Sequence, residues 1–399
     1  MRIGLFTNNY RPLANGLVTS IDTFAQAFRR AGHQVTIVAP RYHNTPSDLD
    51  TVLRVPGFRA PTHHAYVLPI PWWPGIRQAV ARLDLDVYHA QHPFLLGAAA
   101  ARWAHRANRP LVFTYHTRYD RYAHYVPGPS RIVATMALRR ALAFAQRADL
   151  VIAPTPSVAR DLCTLGVRTP IEIVPTGVTL PTTDGTDRRT SRRLLGLDDG
   201  NPLCLSVGRL AKEKNLAFLL HGFHHIVRAL PAARLVLVGD GDERLALERL
   251  ARDLGVRPSV RFVGAVPRER VVEYTRAADL FLFPSKSETQ GLAALEALAA
   301  AVPVVAVASE AATDLLQGES AGVLCPEDPK AFAEAVTTLW AAPDRRLAMA
   351  DAGRRLAAQF TPEASAATLL GLYAELLPAR RLAPAAARAD ALRSTEART

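Results

Sequence analysis

Residues 1–40 read MRIGLFTNNYRPLANGLVTSIDTFAQAFRRAGHQVTIVAP, and this stretch decides the fold class. A short apolar run, Met1–Phe6, is followed by a polar loop that contains glycine. A helical stretch near Val18–Ala31 and a second apolar run, Gln34–Pro40, complete the pattern. The order strand, loop, helix, strand is typical of a βαβ unit. The stretch therefore predicts an α/β protein with a parallel, doubly wound sheet.

The same alternation continues along the chain in two series. The further predicted strands are Asp86–Ala90, Pro110–Tyr115, Leu150–Pro154, Ile171–Val174, Pro202–Val207, Arg234–Gly239, Val260–Val263, Leu280–Phe283, Pro303–Val307 and Gly322–Leu324. Between the series, residues 179–199 are rich in Thr, Asp, Gly and charge. We therefore predict a Rossmann-like domain over 1–180, a linker over 181–199 and a second Rossmann-like domain over 200–364. Residues 365–399 are predicted to be a helix and tail that return to the first domain.

The composition narrows the class of protein. A length of 399 residues with 49% hydrophobic residues is typical of a two-domain globular chain. The three cysteines lie far apart without a CxxC pair, which argues against a disulfide framework or a structural zinc site. The first ten residues hold no run that is typical of a signal peptide, and no long uncharged apolar segment follows. We expect a cytoplasmic protein that does not span a membrane.

The positive charge is concentrated in the first half. Residues 1–180 contain 20 arginines against nine acidic residues, whereas the remainder holds 28 basic and 27 acidic residues. Nine of the arginines lie between Arg102 and Arg147, where Asp120 is the single acidic residue. Such an excess attracts polyanions or anionic membranes. If the arginines only reflected an arginine-rich composition, both halves of the chain would carry the excess of positive charge. Because only the first half does, we favour a functional basic face.

Ser287–Ala297, SETQGLAALEA, directly follows an apolar strand and carries two glutamates, Glu288 and Glu296. Its polar turn with Gly291 predicts a helix that begins near Leu292, whose positive end faces the carboxyl edge of the sheet. A diphosphate suits that end, and the glutamates suit sugar and ribose hydroxyls. Alone, the pair is equally compatible with one acid favouring the helix dipole and one surface glutamate.

Other loops would lie at the same edges of the two sheets. Val207–Asn215, VGRLAKEKN, carries Arg209 and Lys214, which would bracket a diphosphate. The loop Val238–Gly241 is a weaker signal. In the first half, Gly16 would allow close approach of a phosphate or sugar, and the absence of GxGxxG argues against an NAD enzyme. His116 ends a strand and is a candidate to bond substrate.

Two features leave alternatives open. His116 with His124 and Asp120 suggests a metal site only weakly, because the spacing lacks the HExxH form. Trp72 and Trp73 lie in a Pro-rich loop, where adjacent indoles are either core plugs or membrane-interface anchors.

Together these motifs resemble glycosyltransferase family 4, the retaining nucleotide-sugar enzymes of GT-B fold. The resemblance spans YRPLANG, His116, PTGV at 175–178, GRLAKEKN, VGDG and the glutamate pair, in the family's order. YHTRYDRYAHY at 115–125 and SETQGL at 287–292 are similar to the branch that glucosylates diacylglycerol. The family's usual GFG after the first glutamate is replaced here by a turn with Gln290 and Gly291.

The resemblance implies the roles of individual residues. The implied catalytic group is His116, Glu288, Arg209 and Lys214. The implied donor-binding group is Gly16, Gly239, Val263, Gln290, Gly291, Leu292 and Glu296. The implied acceptor and membrane group is Trp72, Trp73, Arg118, Tyr119, Arg121, Tyr122, His124, Tyr125, Arg139 and Arg140. No metal, cofactor or covalent nucleophile is implied.

The implied activity is retaining transfer of a hexose, most simply glucose, from a UDP-sugar to a diacylglycerol-type lipid at the inner face of the cell membrane. The partners would be the nucleotide-sugar, the lipid and an anionic membrane surface. A GDP-mannose- or UDP-sugar-dependent enzyme that acts on a phospholipid such as phosphatidylinositol, or on a soluble acceptor, stays open. A basic nucleic-acid-binding protein would explain the charge but not the glutamate pair, so we expect no nucleic-acid partner.

Overall fold

The computed structural model describes residues 1–43, 51–60, 66–119, 130–179, 188–197, 200–316 and 320–382. Its strands are β1 Arg2–Phe6, β2 Gln34–Pro40, β3 Val52–Val55, β4 Gly57–Arg59, β5 Val67–Pro69, β6 Val87–Ala90, β7 Leu111–Thr114, β8 Leu150–Ala153, β9 Ile171–Ile173, β10 Leu203–Val207, β11 Arg234–Val238, β12 Val260–Gly264, β13 Leu280–Phe283, β14 Val304–Val307 and β15 Gly322–Cys325. Its helices are α1 Gly16–Arg30, α2 Ile76–Arg82, α3 Leu96–Arg106, α4 Ser130–Ala145, α5 Pro156–Thr164, α6 Arg188–Leu194, α7 Leu216–Ala229, α8 Arg244–Asp253, α9 Arg268–Ala277, α10 Leu292–Ala299, α11 Glu310–Leu316, α12 Pro329–Trp340, α13 Pro343–Ala357 and α14 Pro362–Leu382.

The first sheet has seven parallel strands in the order β3-β2-β1-β6-β7-β8-β9. Helices cover both faces, so the inner strands are mostly apolar; β6, β7 and β8 are buried along their whole length, including the polar His89 and Thr114. The order reverses between β1 and β6, and a crevice therefore opens at their carboxyl ends.

The second sheet has six parallel strands in the order β12-β11-β10-β13-β14-β15. Its order reverses between β10 and β13, which are paired through Cys204–Leu280 and Leu205–Phe281. The loops that follow these two strands are therefore neighbours at the ligand edge. The prediction of two doubly wound parallel sheets is confirmed.

The sequence pattern missed three short strands. Strand β3 pairs with the edge of β2 in parallel, while β4 and β5 form an antiparallel hairpin. Strand β4 is exposed along its whole length. Such a strand lacks the continuous apolar run that indicates a buried strand, so periodicity does not reveal it.

The residues predicted as linker include helix α6. Its buried Arg192 donates to Asp279 at 2.5 Å and to the carbonyl of Ala277 at 2.9 Å, at the end of α9. The same Asp279 carboxylate accepts from the backbone amide of Leu203. Residues 188–197 therefore pack with the second sheet. The charged sequence RRTSRRL concealed this because its key contact is a buried ion pair.

The last helix lies against the first sheet. Helix α14 contributes Ala366, Leu369 and Tyr373 to the core that contains α1 and the buried faces of β1 and β2. The Tyr373 hydroxyl and His89 Nδ1 are 2.6 Å apart, and His89 Nε2 is 2.6 Å from the Thr114 hydroxyl. Burial lowers the pKa of His89 to about 3, so the imidazole is neutral in this network. Helix α14 thus brings the chain back from the second domain to the first.

Candidate active site

The loops after β10 and β13 meet at the switch point of the second sheet. Lys214 Nζ forms an ion pair with a carboxylate oxygen of Glu288. Arg209 donates to the buried carboxylate of Glu213 at 2.5 Å. The two predicted diphosphate-binding cations therefore lie at one edge of the sheet, beside the predicted sugar-binding glutamate.

The turn after Glu288 leads into α10 as predicted. Gly291 has φ of +79° and is the N-cap of this helix. A Cβ at Gly291 would also meet the ring of Phe283 at 3.2 Å, so the turn requires glycine. Helix α10 begins at Leu292, where backbone amides lack intrahelical acceptors and the helix end is positive. This end suits an anionic group held beside Lys214.

The predicted nucleotide-side residues lie on the neighbouring strands. Gly239 follows β11 with φ of +134°, and a Cβ there would meet the carbonyl oxygen of Gly208 at 2.0 Å. This contact lets the loops after β10 and β11 pack backbone to backbone. Val263 is half-buried on β12, next to Gly264, which accepts from the Gly239 amide at 2.9 Å.

Glu296 lies one turn inside α10, as the resemblance implies. Its carboxylate accepts from Arg268 at 2.8 Å. Burial raises the pKa of Glu296, and Arg268 opposes that rise. A carboxylate at this place can accept hydrogen bonds from vicinal hydroxyls, which is the role predicted for it.

Across the cleft, α1 begins at Gly16, capped by the Asn15 side chain, which accepts from the Val18 amide at 3.0 Å. A Cβ on Gly16 would lie 3.7 Å from the Leu292 side chain. The N-termini of α1 and α10 therefore approach each other from the two domains. Two positive helix ends facing one cleft favour an anionic ligand between them.

His116 lies at the carboxyl end of β7, as predicted, and is half-buried. Its Nε2 is 2.6 Å from Oε1 of Gln91, which follows β6. Burial, together with smaller effects of His92 and His89, lowers the pKa of His116 to about 3. The ring is therefore neutral. With Nε2 bonded to an amide oxygen, Nε2 carries the proton and Nδ1 is left as an acceptor for a substrate hydroxyl.

Three predicted contacts need correction. Arg118 is buried and pairs with Asp161 at 2.7 Å and with Glu310 of the second domain at 2.5 Å, so it is no surface residue. Tyr119 is buried in the core of the first domain, packed edge-on against aromatic rings. The Gln290 side chain bonds the backbone of Thr176 instead of pointing to the donor cleft. Each of these three side chains contacts residues that are distant along the chain, and these contacts hold it away from the predicted surface or cleft.

Other members of the acceptor group are on the surface. Trp72 is 73% exposed and Trp73 is 48% exposed, so the core-plug alternative is wrong. Arg139 and Arg140 are exposed on α4, whose outer face also carries Ile132 and Met136. Arg121, Tyr122, His124 and Tyr125 lie outside the described residues.

Within the ranges that the structure describes, no group of three His, Cys, Asp or Glu side chains is arranged to hold a metal ion. Asp120 and His124, which were considered with His116, lie outside those ranges. No helix of the described chain has the length and apolarity needed to cross a bilayer.

Residues that the sequence did not single out complete the site. Gln91 is hydrogen-bonded to His116, Glu213 forms an ion pair with Arg209, and the Thr176 amide donates to the side chain of Gln290. All three follow predicted strands or lie in quoted motifs, so their position at the ligand edge was available from the sequence. Their partners were not, because each partner is distant along the chain or hidden by a loop conformation.

Two doubly wound sheets with facing carboxyl edges, cations at one switch point and helix N-termini on both sides of the cleft define a glycosyltransferase of GT-B fold. Sucrose-phosphate synthase from Thermosynechococcus elongatus superposes with a TM-score of 0.80 at 24% identity, over 94% of this chain and 99% of the other. The fold is therefore shared over nearly the whole chain.

Two family profiles match: "Glycosyltransferase Family 4" over residues 14–180 and "Glycosyl transferases group 1" over residues 187–356. An α-monoglucosyldiacylglycerol synthase of Streptococcus pneumoniae is 30% identical over 334 residues, covering 81% of this chain and 75% of the relative. A GDP-mannose-dependent α-(1-6)-phosphatidylinositol dimannoside mannosyltransferase of Mycobacterium tuberculosis is 29% identical over 374 residues, covering 93% and 95%. The chain belongs to glycosyltransferase family 4.

Acid is expected to destabilise the first domain through His92. This buried ring accepts from the Asn8 amide at 3.2 Å through Nδ1, and burial lowers its pKa to about 4. The unfolded chain, with a histidine pKa of about 6.5, binds the proton first, so stability falls as the pH drops from about 6.5 to 4. Lowering the pH from 7 to 5 should therefore reduce the free energy of unfolding by on the order of 2 kcal/mol through this histidine.

Urea denaturation at both pH values measures this effect. In His92→Asn the difference between the two pH values should shrink by about that amount. The exposed His221 provides the control, because His221→Asn should leave the difference unchanged. An equal pH dependence in wild type and His92→Asn would contradict the assignment.

Proposed function

We propose that this enzyme transfers a hexose, most simply glucose, from a UDP-sugar to the hydroxyl of a diacylglycerol-type lipid, with retention of the anomeric configuration. The observation that carries the proposal is the contact between Lys214 and Glu288 at the switch point, directly before the N-terminus of α10. The activity named for the Streptococcus relative supports the choice of sugar and acceptor.

The donor site is assigned from its charges. Lys214 and Arg209 would neutralise the diphosphate, and the first turn of α10 would donate backbone N–H groups to it. Glu288, released from its ion pair with Lys214 when the diphosphate binds, would accept from hydroxyls of the sugar. Glu296 would accept from the ribose hydroxyls.

The chemistry follows from this arrangement. The bond between the anomeric carbon and the diphosphate oxygen breaks, and the sugar becomes oxocarbenium-like. The acceptor hydroxyl bonds the anomeric carbon on the same face and gives its proton to the departing diphosphate. Stabilisation of the developing negative charge by Lys214, Arg209 and the helix end is the main catalytic contribution. Neutral His116 would accept from a sugar hydroxyl near the anomeric centre through Nδ1. Neither metal nor covalent nucleophile has a step in this scheme.

The acceptor is proposed to be reached from a membrane surface on the cytoplasmic side. Exposed Ile132 and Met136 lie on the same helix as Arg139 and Arg140, and Trp72 and Trp73 are exposed in the same domain. Apolar side chains with adjacent arginines are typical of peripheral binding to anionic lipid. The arginine excess of residues 1–180 acts in the same direction.

A second candidate is a GDP-mannose-dependent transferase that acts on a phosphatidylinositol lipid. The extent of the match to the Mycobacterium relative, 93% of this chain, favours this alternative. Both candidates would use the same fold, the same diphosphate-binding cations and a membrane surface. They differ in the nucleobase and the sugar of the donor and in the headgroup of the lipid acceptor.

A product assay separates the candidates. UDP-glucose, UDP-galactose and GDP-mannose are each offered with diacylglycerol or phosphatidylinositol in anionic vesicles, without added metal. We expect an α-linked glucosyl diacylglycerol from UDP-glucose alone, identified by chromatography and by the anomeric proton coupling. A mannosyl phosphatidylinositol would establish the second candidate, and a β-linked product would contradict retention.

Removal of the lysine at the switch point tests the donor site. Lys214→Ala should lower kcat/KM by about a hundredfold or more, since one preorganised donor to developing charge contributes that much. Lys212→Ala is the matched control, because this lysine lies in the same 3₁₀ turn, Lys212–Lys214, and is exposed. Equal kinetics in wild type and Lys214→Ala, with the control unchanged, would remove Lys214 from the mechanism.

Neutralising the surface arginines of α4 tests membrane binding. Arg139→Ser with Arg140→Ser should weaken co-sedimentation with anionic vesicles roughly tenfold or more, since each basic residue contributes about 1 kcal/mol near such a surface. The exposed pair Arg354 and Arg355 on α13 of the second domain gives the matched double variant, which should bind like wild type. Equal sedimentation of both double variants would contradict docking through α4.

A further inference from the structure

The turn between Glu288 and α10 is bonded to the first domain through two consecutive residues. Thr289 donates from its hydroxyl to the carbonyl of His116 at 3.1 Å, and its own carbonyl accepts from the Thr155 hydroxyl at 3.0 Å. These partners follow β7 and β8, at the carboxyl edge of the first sheet. The backbone of the predicted sugar-binding turn is therefore held by the opposite domain.

Gln290 adds a bidentate contact to a third segment. Its amide oxygen accepts from the Thr176 amide at 2.9 Å, and its amide nitrogen donates to the Thr176 carbonyl at 2.8 Å. The side chain is 7% exposed. Because a buried amide that loses a partner is costly, this pair of bonds holds the turn to the segment that leaves the first domain between Val174 and Val178.

The contact extends to α1. The Thr176 hydroxyl is 2.6 Å from the Ser20 hydroxyl, one turn into the helix that begins at Gly16. One chain of hydrogen bonds thus runs from the turn beside Glu288, through Thr176, to the helix whose N-terminus faces Leu292. A second runs from Thr289 to the peptide of His116.

We propose that Thr289 and Gln290 are positioning residues whose side chains clamp the sugar-binding turn to the first domain, so that Glu288, His116 and the N-terminus of α1 come into register only when the domains are closed. Gln290 then contributes to the transfer step without contacting the donor. The inference rests on the proposed function for its kinetic readout and for the choice of UDP as the ligand, while domain closure is measurable without an acceptor.

Loss of the clamp is expected to affect nucleotide affinity and kcat differently. The charged side chains assigned to the nucleotide, Arg209, Lys214 and Glu296, all belong to the second domain, whereas the first domain contributes the N-terminus of α1 at Gly16. Nucleotide affinity is therefore expected to survive loss of the clamp. The fraction of enzyme that closes around the donor is expected to fall, and with it kcat.

Gln290→Glu is the sharpest variant, since it keeps the shape and the acceptor but replaces the donor to the Thr176 carbonyl by a charged oxygen. Thr289→Val, which removes one hydroxyl at nearly constant volume, is the second variant. Gln146→Glu is the control for the substitution itself: the exposed Gln146 also bonds one backbone carbonyl and one backbone amide, those of Gly166 at 2.6 Å and Arg168 at 3.1 Å, entirely within the first domain.

Three measurements are made on each protein: steady-state transfer, UDP affinity by calorimetry, and the radius of gyration by X-ray scattering with and without UDP. Thermal melts verify that each variant is folded. We expect kcat to fall about tenfold or more in Gln290→Glu, and less in Thr289→Val, with UDP affinity within about threefold of wild type. The UDP-bound variants should have a larger radius of gyration than wild type, and Gln146→Glu should match wild type throughout.

Two results would overturn the proposal. Unchanged kcat and radius of gyration in folded Gln290→Glu would show that the contact does not control closure. A loss of UDP affinity as large as the loss of kcat would return Gln290 to the donor-binding group. If wild type transfers no hexose under any condition, the proposed function fails, and the scattering comparison still decides whether the clamp exists.

Discussion

Lys214 and Glu288 form an ion pair between the loops that follow two neighbouring strands, β10 and β13, and the candidate active site is arranged around this contact. The strand order reverses at this point, so the loops diverge and leave a crevice above the sheet. The glycine turn at Gly291 begins α10 immediately beside the pair and adds the positive helix end. Glu288 neutralises Lys214 in this ion pair. In the proposed reaction the diphosphate would replace Glu288 as the partner of Lys214.

The two domains meet through polar groups. Besides the turn at Thr289 and Gln290, Asp314 on α11 accepts from the Ser157 amide at 2.8 Å, Glu310 pairs with Arg118, and Arg209 donates to the Tyr66 hydroxyl at 3.5 Å. Interfaces of this kind resemble those between transient partners, and they separate more easily than an apolar core. The last helix behaves differently, because Leu369 and Tyr373 are fully buried in the first domain. An apolar attachment at the end of the chain and polar contacts at the cleft suit two domains that stay together and move at the site.

Part of the arginine excess of the first domain is exposed on its surface. Arg139 and Arg140 lie on the exposed face of α4, and the two adjacent tryptophans are exposed in the same domain. Arg118 is an exception with a structural use, since it bridges Asp161 and Glu310 in a buried position. The arginine excess of the first half therefore includes arginines that are exposed on the surface and an arginine that is buried between the two domains.

The sequence by itself determined the two doubly wound sheets, because parallel strands covered on both faces are mostly continuous apolar runs, and β8 and β13 are such runs. It also placed Arg209, Lys214, Glu288 and His116 after strands; topology brings the first three to one edge of the second sheet and His116 to the carboxyl edge of the first. Tertiary structure alone decided the partners: Gln290 turns to Thr176, Arg118 is buried between two carboxylates, and α6 joins the second domain through Arg192. These outcomes depend on which polar group lies opposite a buried donor or acceptor. Hydrophobic periodicity does not predict these partners. It depends on the order of residues along the chain, whereas a hydrogen bond depends on which groups lie close together in space.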